Sequence, residues 1–216
     1  NVSQMLEQRL ISDGFTIQKQ FLSSSLSEEF PYNIAISLPS TLEYPIHRFF
    51  IIISQEQAFN NYTDIMLFIA MMQEASFPLD IVFCTNNSSP HPALKNTLSG
   101  ISTFTQYLDS VSYTSAIELQ FLPENEENRE VIEIGTKGIL SPPELIQPLL
   151  TNLDTSGVEY TIRGRVNSFY RLGFVSVSPV LTYLLQTEIP AAALYIRPSS
   201  TEKTAQALSA FVQSSP

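Results

Sequence analysis

Residues 49–84 read FFIIISQEQAFNNYTDIMLFIAMMQEASFPLDIVFC. Two short apolar runs, Phe49 to Ile53 and Leu79 to Cys84, bracket a longer segment. A run of five or six apolar residues suits a strand covered on both faces. The segment between them opens with turn chemistry at Asn60-Asn61 and continues as an apolar helix to Met72, and Pro78 then breaks the chain. Strand, helix and strand at this spacing form a βαβ unit, so the two strands should lie parallel.

Working outward, the N-terminal side predicts a helix with Val2, Met5, Leu6 and Leu10 on one face, ended at Asp13-Gly14. Two alternating runs follow, Phe15-Ile17-Lys19-Phe21 and Tyr32-Ile34-Ile36-Leu38, separated by a loop at Ser23–Ser25. Period two reads as half-exposed strands near a sheet edge. On the C-terminal side, Ile117–Leu122, Val131–Ile134, Val158–Ile162 and Ala191–Ile196 read as strands. A capping box at Ser141-Pro142-Pro143-Glu144 should open a helix carrying Leu145, Ile146, Leu149, Leu150 and Leu153, closed by Gly157. Ser199 and Glu202 should form a second box, ahead of a helix burying Ala205, Leu208, Phe211 and Val212. The expected fold is α/β, a three-layer sandwich with a mixed, mostly parallel central sheet. Residues 1–216 show no repeat and no composition shift, so a single domain is expected. Ligands in such sheets sit at the carboxyl ends of the central strands, which points to the loops after Ile53, Phe83 and Leu108.

Composition bounds the function. The net charge is −10, which disfavours nucleic acid as a partner. Glu124, Glu126, Glu127 and Glu130 concentrate part of it in what reads as a solvated loop. Cys84 is the only cysteine, so no internal disulfide can form, and its apolar surroundings suit a buried, inert thiol. His47 and His91 have no ligand spacing to each other and suit surface or edge positions. Arg163, Arg165 and Arg171 are a candidate anion contact. Asn1, Asn61 and Asn87 each begin an Asn-x-Ser/Thr acceptor pattern. The longest strongly apolar stretch, Ile65 to Met72, is too short to cross a bilayer.

At the three loops a family pattern is visible. The edge strand Asn33-Ile34-Ala35-Ile36-Ser37-Leu38-Pro39-Ser40 resembles an Asn-Val-apolar-Ala-x-Leu-Pro-Gly motif. The buried strand leads into Gln55-Glu56-Gln57 where the family has His-x-Asp. Asn60-Asn61-Tyr62-Thr63-Asp64 stands against Asp-Asn-x-Ser-Gly, and Phe83-Cys84-Thr85-Asn86-Asn87 against Phe-Asp-Gly-Glu-Glu. Leu108-Asp109 retains a Leu-Asp pair. Glu188-Ile189-Pro190-Ala191 resembles Gly-Ile-Pro-Ala, although Ser178–Leu181 upstream has no His. In this order the motifs resemble the zinc aminopeptidases of the bacterial leucyl aminopeptidase type, whose fold recurs in transferrin receptor and nicastrin.

The resemblance implies that a pair of zinc ions once sat here, held by carboxylates and imidazoles. The family's His and Asp fall at Gln55 and Gln57, its bridging Asp at Asn60, and its Glu pair at Asn86 and Asn87. Its last His falls near Val180 or Leu181. Amides bind zinc poorly and do not take a proton from water, and Asp109 alone keeps a ligand-type side chain. The expectation is a pseudo-peptidase without metal or cofactor, whose old cleft is lined by Gln55, Gln57, Asn60, Asn86, Asn87 and Asp109. It would recognise a protein or peptide, or act as a scaffold. Non-catalytic relatives, including a subunit of the glycolipid-anchor transamidase, imply an extracytoplasmic domain with any membrane anchor outside these residues. The alternative is an active metal-dependent hydrolase with an atypical site around Asp109 and Glu56.

Overall fold

The computed structural model describes residues 2–21, 32–39, 47–74, 77–85, 99–106, 113–122, 129–136, 138–163 and 178–214. Helix α1 spans Val2–Ser12 and is followed by strands β1 (Gln18–Phe21), β2 (Tyr32–Ser37) and β3 (His47–Ser54). Helices α2 (Gln55–Asn60) and α3 (Tyr62–Gln73) lead to β4 (Leu79–Cys84), and α4 (Ser99–Gln106) leads to β5 (Tyr113–Phe121). Then come β6 (Glu130–Glu133), the short ribbon β7 (Gly135–Thr136) and β8 (Ile139–Leu140), α5 (Pro143–Thr155) and β9 (Tyr160–Arg163). Helix α6 (Pro179–Gln186), β10 (Ala191–Ile196) and α7 (Thr201–Ser214) complete the order.

The main sheet has eight strands in the order β1-β2-β4-β3-β5-β10-β6-β9. Its centre, β4-β3-β5-β10, is parallel throughout. Strands β1, β2 and β4 pair antiparallel on one flank, and β10 with β6 on the other. The βαβ expectation therefore holds, with β3 and β4 as direct parallel neighbours.

Alternation along β3 shows why the strand is apolar throughout. Phe49, Ile51 and Ile53 enter one core, shared with α1, α3, α5 and α7. Phe50 and Ile52 enter a second core on the opposite face, with Ile101 and Phe104 of α4 and Leu181, Leu184 and Leu185 of α6. Each fully buried side chain of this size contributes roughly 1.5–3 kcal/mol relative to exposure. Edge-to-face ring pairs pin a helix to each face: Phe49–Phe211 at 5.1 Å and Phe50–Phe104 at 4.9 Å between centroids. Ala191 and Ala193 of β10 are small where α6 packs over them.

Several local expectations need correction. On α1 the buried residues are Ser3, Leu6 and Leu10, whereas Met5 is 49% exposed. Strand β2 is not half-exposed. Tyr32 to Ala35 and Ile36 are all buried, because β1 shields its outer edge and helices cover both faces. Ser141 does not cap α5. Its hydroxyl donates to the Ala191 carbonyl and Pro142 is the N-cap. Ser199 lies in a 3-10 turn, Pro198–Ser200, rather than capping α7. Glu130 is not in a solvated loop. It is the first residue of β6, 2% exposed, and accepts from Arg197 Nε at 3.0 Å and Arg197 N at 2.8 Å. Helices α4 and α6 were not anticipated, although Ser178-Pro179 is an N-cap followed by proline in the first turn. Ser23–Ser25, His91, Glu124, Glu126 and Glu127 lie outside the described residues.

Three helices end in the same two-bond motif. Phe15 N donates to Leu10 O and Gly14 N to Ile11 O, Val158 N to Leu153 O and Gly157 N to Asp154 O, and Ile189 N to Leu184 O and Glu188 N to Leu185 O. The motif needs a left-handed residue. Gly14 and Gly157 supply it, but in the third case it is Glu188, at φ +62°. A side chain there costs about 1 kcal/mol or more. Replacing the exposed Glu188 with glycine (Glu188→Gly) is expected to raise stability by about 1 kcal/mol, read as a higher urea midpoint with unchanged m-value.

Candidate functional site

The parallel strands end level with one another. Ile53 pairs with Phe83 and with Leu119, so the next residues of β3, β4 and β5 converge at one rim. Strand β3 passes into α2 without a spacer between Ser54 and Gln55. A cleft of ≈ 320 Å³ opens there, on the α4/α6 face of the sheet. Its floor is Ile52, Cys84 and Glu118, neighbouring positions that point to the same face. Ser54, Glu56, Gln57 and Asn60 form the α2 wall, with Gln120 beside them and Pro179 and Val180 opposite.

Glu118 is the feature that sequence reading missed. It lies in the last four residues of β5, 5% exposed. Ser178 Oγ donates to its Oε2, and Gln120 Nε2 donates to its Oε1 at 2.5 Å. The Ser178 hydroxyl also accepts from Val180 N and Leu181 N, each at 3.2 Å, and so caps α6. Ser178 N in turn donates to Glu133 Oε2 at 3.4 Å, and Tyr195 OH donates to the same oxygen at 2.9 Å. Burial pushes the Glu118 carboxyl above its usual range, and the nearby Glu133 charge adds to that. The bonds from Ser178 and Gln120 and the Leu181 N–H oppose it. Cys84 is buried as expected, and desolvation, reinforced by Glu118, pushes its thiol up. Burial and the charges of Glu133 and Glu118 push the Tyr195 phenol up in the same way.

The chain belongs to the TP_0564 family. Its residues 32–215 match that family's first domain. No curated protein matches the chain. Among solved structures, this TP_0564-family domain is similar to a metallo-carboxypeptidase from Burkholderia cenocepacia, with a TM-score of 0.60 and 6% identity, over 98% of this chain and 67% of the other. It is also similar to an aminopeptidase from Aneurinibacillus sp. strain AM-1, at 0.51 and 14% over 85% and 48%. A third is a leucyl aminopeptidase from Trypanosoma brucei in complex with actinonin, at 0.54 and 9% over 97% and 57%. The chain thus spans about half to two thirds of these enzymes. At such identities the likeness is of fold, the zinc-exopeptidase-like sandwich.

The structure divides the sequence-predicted positions of the TP_0564-family domain. Gln57 and Asn60 line the cleft. Gln57 Oε1 accepts from Phe121 N at 3.1 Å, which ties α2 to the end of β5. Gln55 points instead to the α1 face and is 3% exposed. Its Nε2 donates to Tyr32 O at 2.6 Å and Phe83 O at 3.1 Å, and its Oε1 accepts from Ser3 Oγ at 2.7 Å. Asn86, Asn87 and Asp109 lie outside the described residues. Leu108 also lies outside the described residues. The Leu108-Asp109 pair falls between α4 and β5, and the residues at the carboxyl end of β5 are Glu118 to Phe121. Arg163 ends β9 at the far edge of the sheet, and Arg165 and Arg171 are outside the described residues. Asn61 joins α2 to α3, with its amide donating to Gln57 O at 2.9 Å. Among the described residues, no group of three or more His, Cys, Asp or Glu is placed to hold a metal ion.

Two outcomes are expected. Gln55→Leu leaves two strand-end carbonyls without that donor, and should lower stability by roughly 2–4 kcal/mol in denaturant unfolding. For Glu118, a raised folded-state pKa means the native state holds the proton more tightly than the unfolded chain. Its contribution is full below the ordinary carboxylate range, about 4.3, and is lost as pH rises through the folded value. Glu118→Gln should flatten that part of the stability–pH curve above about pH 4.3, measured as the difference in urea midpoint between the two proteins.

Proposed function

We propose that this is a non-catalytic, peptidase-shaped domain that recognises a protein or peptide segment or acts as a scaffold. On this reading it is the extracytoplasmic part of a membrane-anchored or exported protein. The observation that carries the reading is the donor chemistry at the carboxyl ends of β3 and β5. Zinc is held by thiolate, imidazole and carboxylate ligands. The described lining offers the amides Gln57, Asn60 and Gln120, a thiol pushed up by burial, the exposed carboxylate Glu56 at the mouth, and Glu118, whose two oxygens already accept from Ser178 and Gln120. Two zinc ions would bring four positive charges to a lining that is mostly neutral, and these residues do not fit them.

Amides at these places have a physical benefit. Carboxylates crowded at a strand end repel one another without a cation, whereas Gln57 and Gln120 donate and accept and are already bonded to neighbouring groups. The recognition role draws on the cleft itself, which is concave, partly apolar and of a size suited to a side chain or a short segment.

The protein should be purified from zinc-supplemented medium, its metal content measured, and hydrolysis of amino-terminal and carboxyl-terminal peptide substrates assayed with and without a chelator. Metal well below one ion per chain and no hydrolysis are expected. Stoichiometric zinc whose removal abolishes peptide hydrolysis would overturn the reading and favour an active site around Asp109 and Glu56.

A further inference from the structure

The cleft floor has an unusual electrostatic balance. Among the described residues, three other buried or half-buried carboxylates have cationic partners: Glu130 has Arg197, Asp80 has Arg48 at 2.6 Å, and Glu7 has Lys19 at 2.8 Å. Among the described residues, no lysine or arginine pairs with Glu118, and none lines the cleft. Its donors, Ser178 Oγ and Gln120 Nε2, are neutral. A carboxylate offers about four acceptor directions. Ser178 and Gln120 use two.

Around that acid the walls are suited to an aliphatic stem. Ile52, Cys84, Pro179 and Val180 supply apolar surface, and Glu56 stands exposed at the mouth. The chain as a whole carries a net charge of −10, which attracts cations and repels anions at long range.

Resting on the recognition reading above, we infer that the cleft binds an aliphatic ammonium or guanidinium group of a peptide partner, seated with its stem against Ile52 and Val180 and its charge against Glu118. A ligand cation supplies the counter-charge that the fold leaves out. It would make the ionised form of Glu118 the favoured one, so binding should release a proton. The groups facing Glu118 are Cys84 from β4, Glu133 from β6 and Tyr195 from β10, with Arg163 of β9 acting on Tyr195. Helix α6 presents N–H groups and the Ser178 hydroxyl, and α2 presents Glu56 at the rim. None of these except the distant Arg163 is a cation, so the nearby field favours a positive ligand and disfavours a carboxylate.

The test is a nuclear magnetic resonance titration of the purified protein with four probes, in chelator. These are Nα-acetyl-lysine amide, its uncharged isostere Nα-acetyl-norleucine amide, Nα-acetyl-norleucine as the free acid, and glycine amide with a free α-amine. The lysine probe should bind roughly tenfold or more tightly than the norleucine amide, with shifts at Ile52, Cys84 and Val180. The free acid should bind most weakly. Glycine amide binding at the same residues would support a chain terminus as a second source of the cation. The lysine preference should vanish in Glu118→Gln and persist in Glu56→Gln with a smaller, salt-sensitive loss. Should Glu118→Gln fail to fold, the wild type provides the same reading, since its lysine affinity should rise with pH as Glu118 ionises while its norleucine affinity stays flat. Equal binding of the lysine and norleucine amides, or preference for the free acid, overturns the inference. Silence from all four probes also overturns it but leaves the non-catalytic reading standing. Turnover of any amide probe, followed by mass spectrometry, would sink both.

Discussion

The Gln55 amide is the interaction on which the geometry of the strand ends depends. Strand β3 turns into α2 with no loop to absorb unpaired backbone, and β2 begins where β4 ends. The result is a set of strand-end polar groups buried beneath α1. One side chain with two donors and an acceptor meets Tyr32 O, Phe83 O and Ser3 Oγ together. Buried polar groups left without partners cost far more than a paired bond gains, so this amide decides how close α1, β2 and β4 can come. Asn33 does the corresponding work on the opposite face. Its Oδ1 accepts from Thr85 N at 3.1 Å and its Nδ2 donates to Gly100 O at 2.7 Å. A Cβ on Gly100 would collide with the Thr85 carbonyl and the Asn33 side chain, so glycine is required there for α4 to start where it does.

With α1 and α4 fixed by two buried amides, the remaining freedom at the rim lies in α6. Its start is set by Ser178, whose hydroxyl caps the helix and donates to Glu118, and whose N–H donates to Glu133. The helix N-terminus carries partial positive charge, which eases the buried Glu118 and Glu133 carboxylates. The contrast with Glu130 is instructive. That acid is as buried as Glu118, yet it is held by a full guanidinium charge. Among the described residues, then, the fold supplies a counter-ion at the β6–β10 edge and only dipoles beneath the cleft.

Much of the fold was legible because it rests on alternation. Phe49 to Ile53 and Leu79 to Cys84 are apolar at every position that meets either core, save Asp80, which takes Arg48 as its partner at the strand's far end. The site was less legible because it is made of exceptions to that alternation. Glu118 interrupts the apolar run of β5, in Ala116-Ile117-Glu118-Leu119, and a lone acid in a central strand is itself a signal. The Leu108-Asp109 pair, which lies outside the described residues, matches the family's Leu-Asp motif, but a two-residue pair recurs by chance. The resemblance to His-x-Asp implies a place in the cleft for both Gln55 and Gln57. Direct passage from strand to helix turns the two side chains to different faces, and only Gln57 reaches the cleft. Nothing local marks Ser3 for a role, and Ser141 reads as a helix cap, for a related reason. Their hydroxyls serve partners 52 and 50 residues away, and no local pattern reports such bonds.

The balance of charge at this cleft therefore matters as much as its shape. An acid placed at the end of a parallel strand is costly to bury unless something positive answers it. A metal ion is one answer, and the amides Gln57, Asn60 and Gln120 are poor company for one. A cationic group brought by a partner is another, and it needs only a single acid, an apolar channel and a lining without competing cations. Those three conditions coincide at Glu118. On the proposed reading, the fold kept the electrostatic demand of the strand end while giving up the ligands that an ion pair of metals would need.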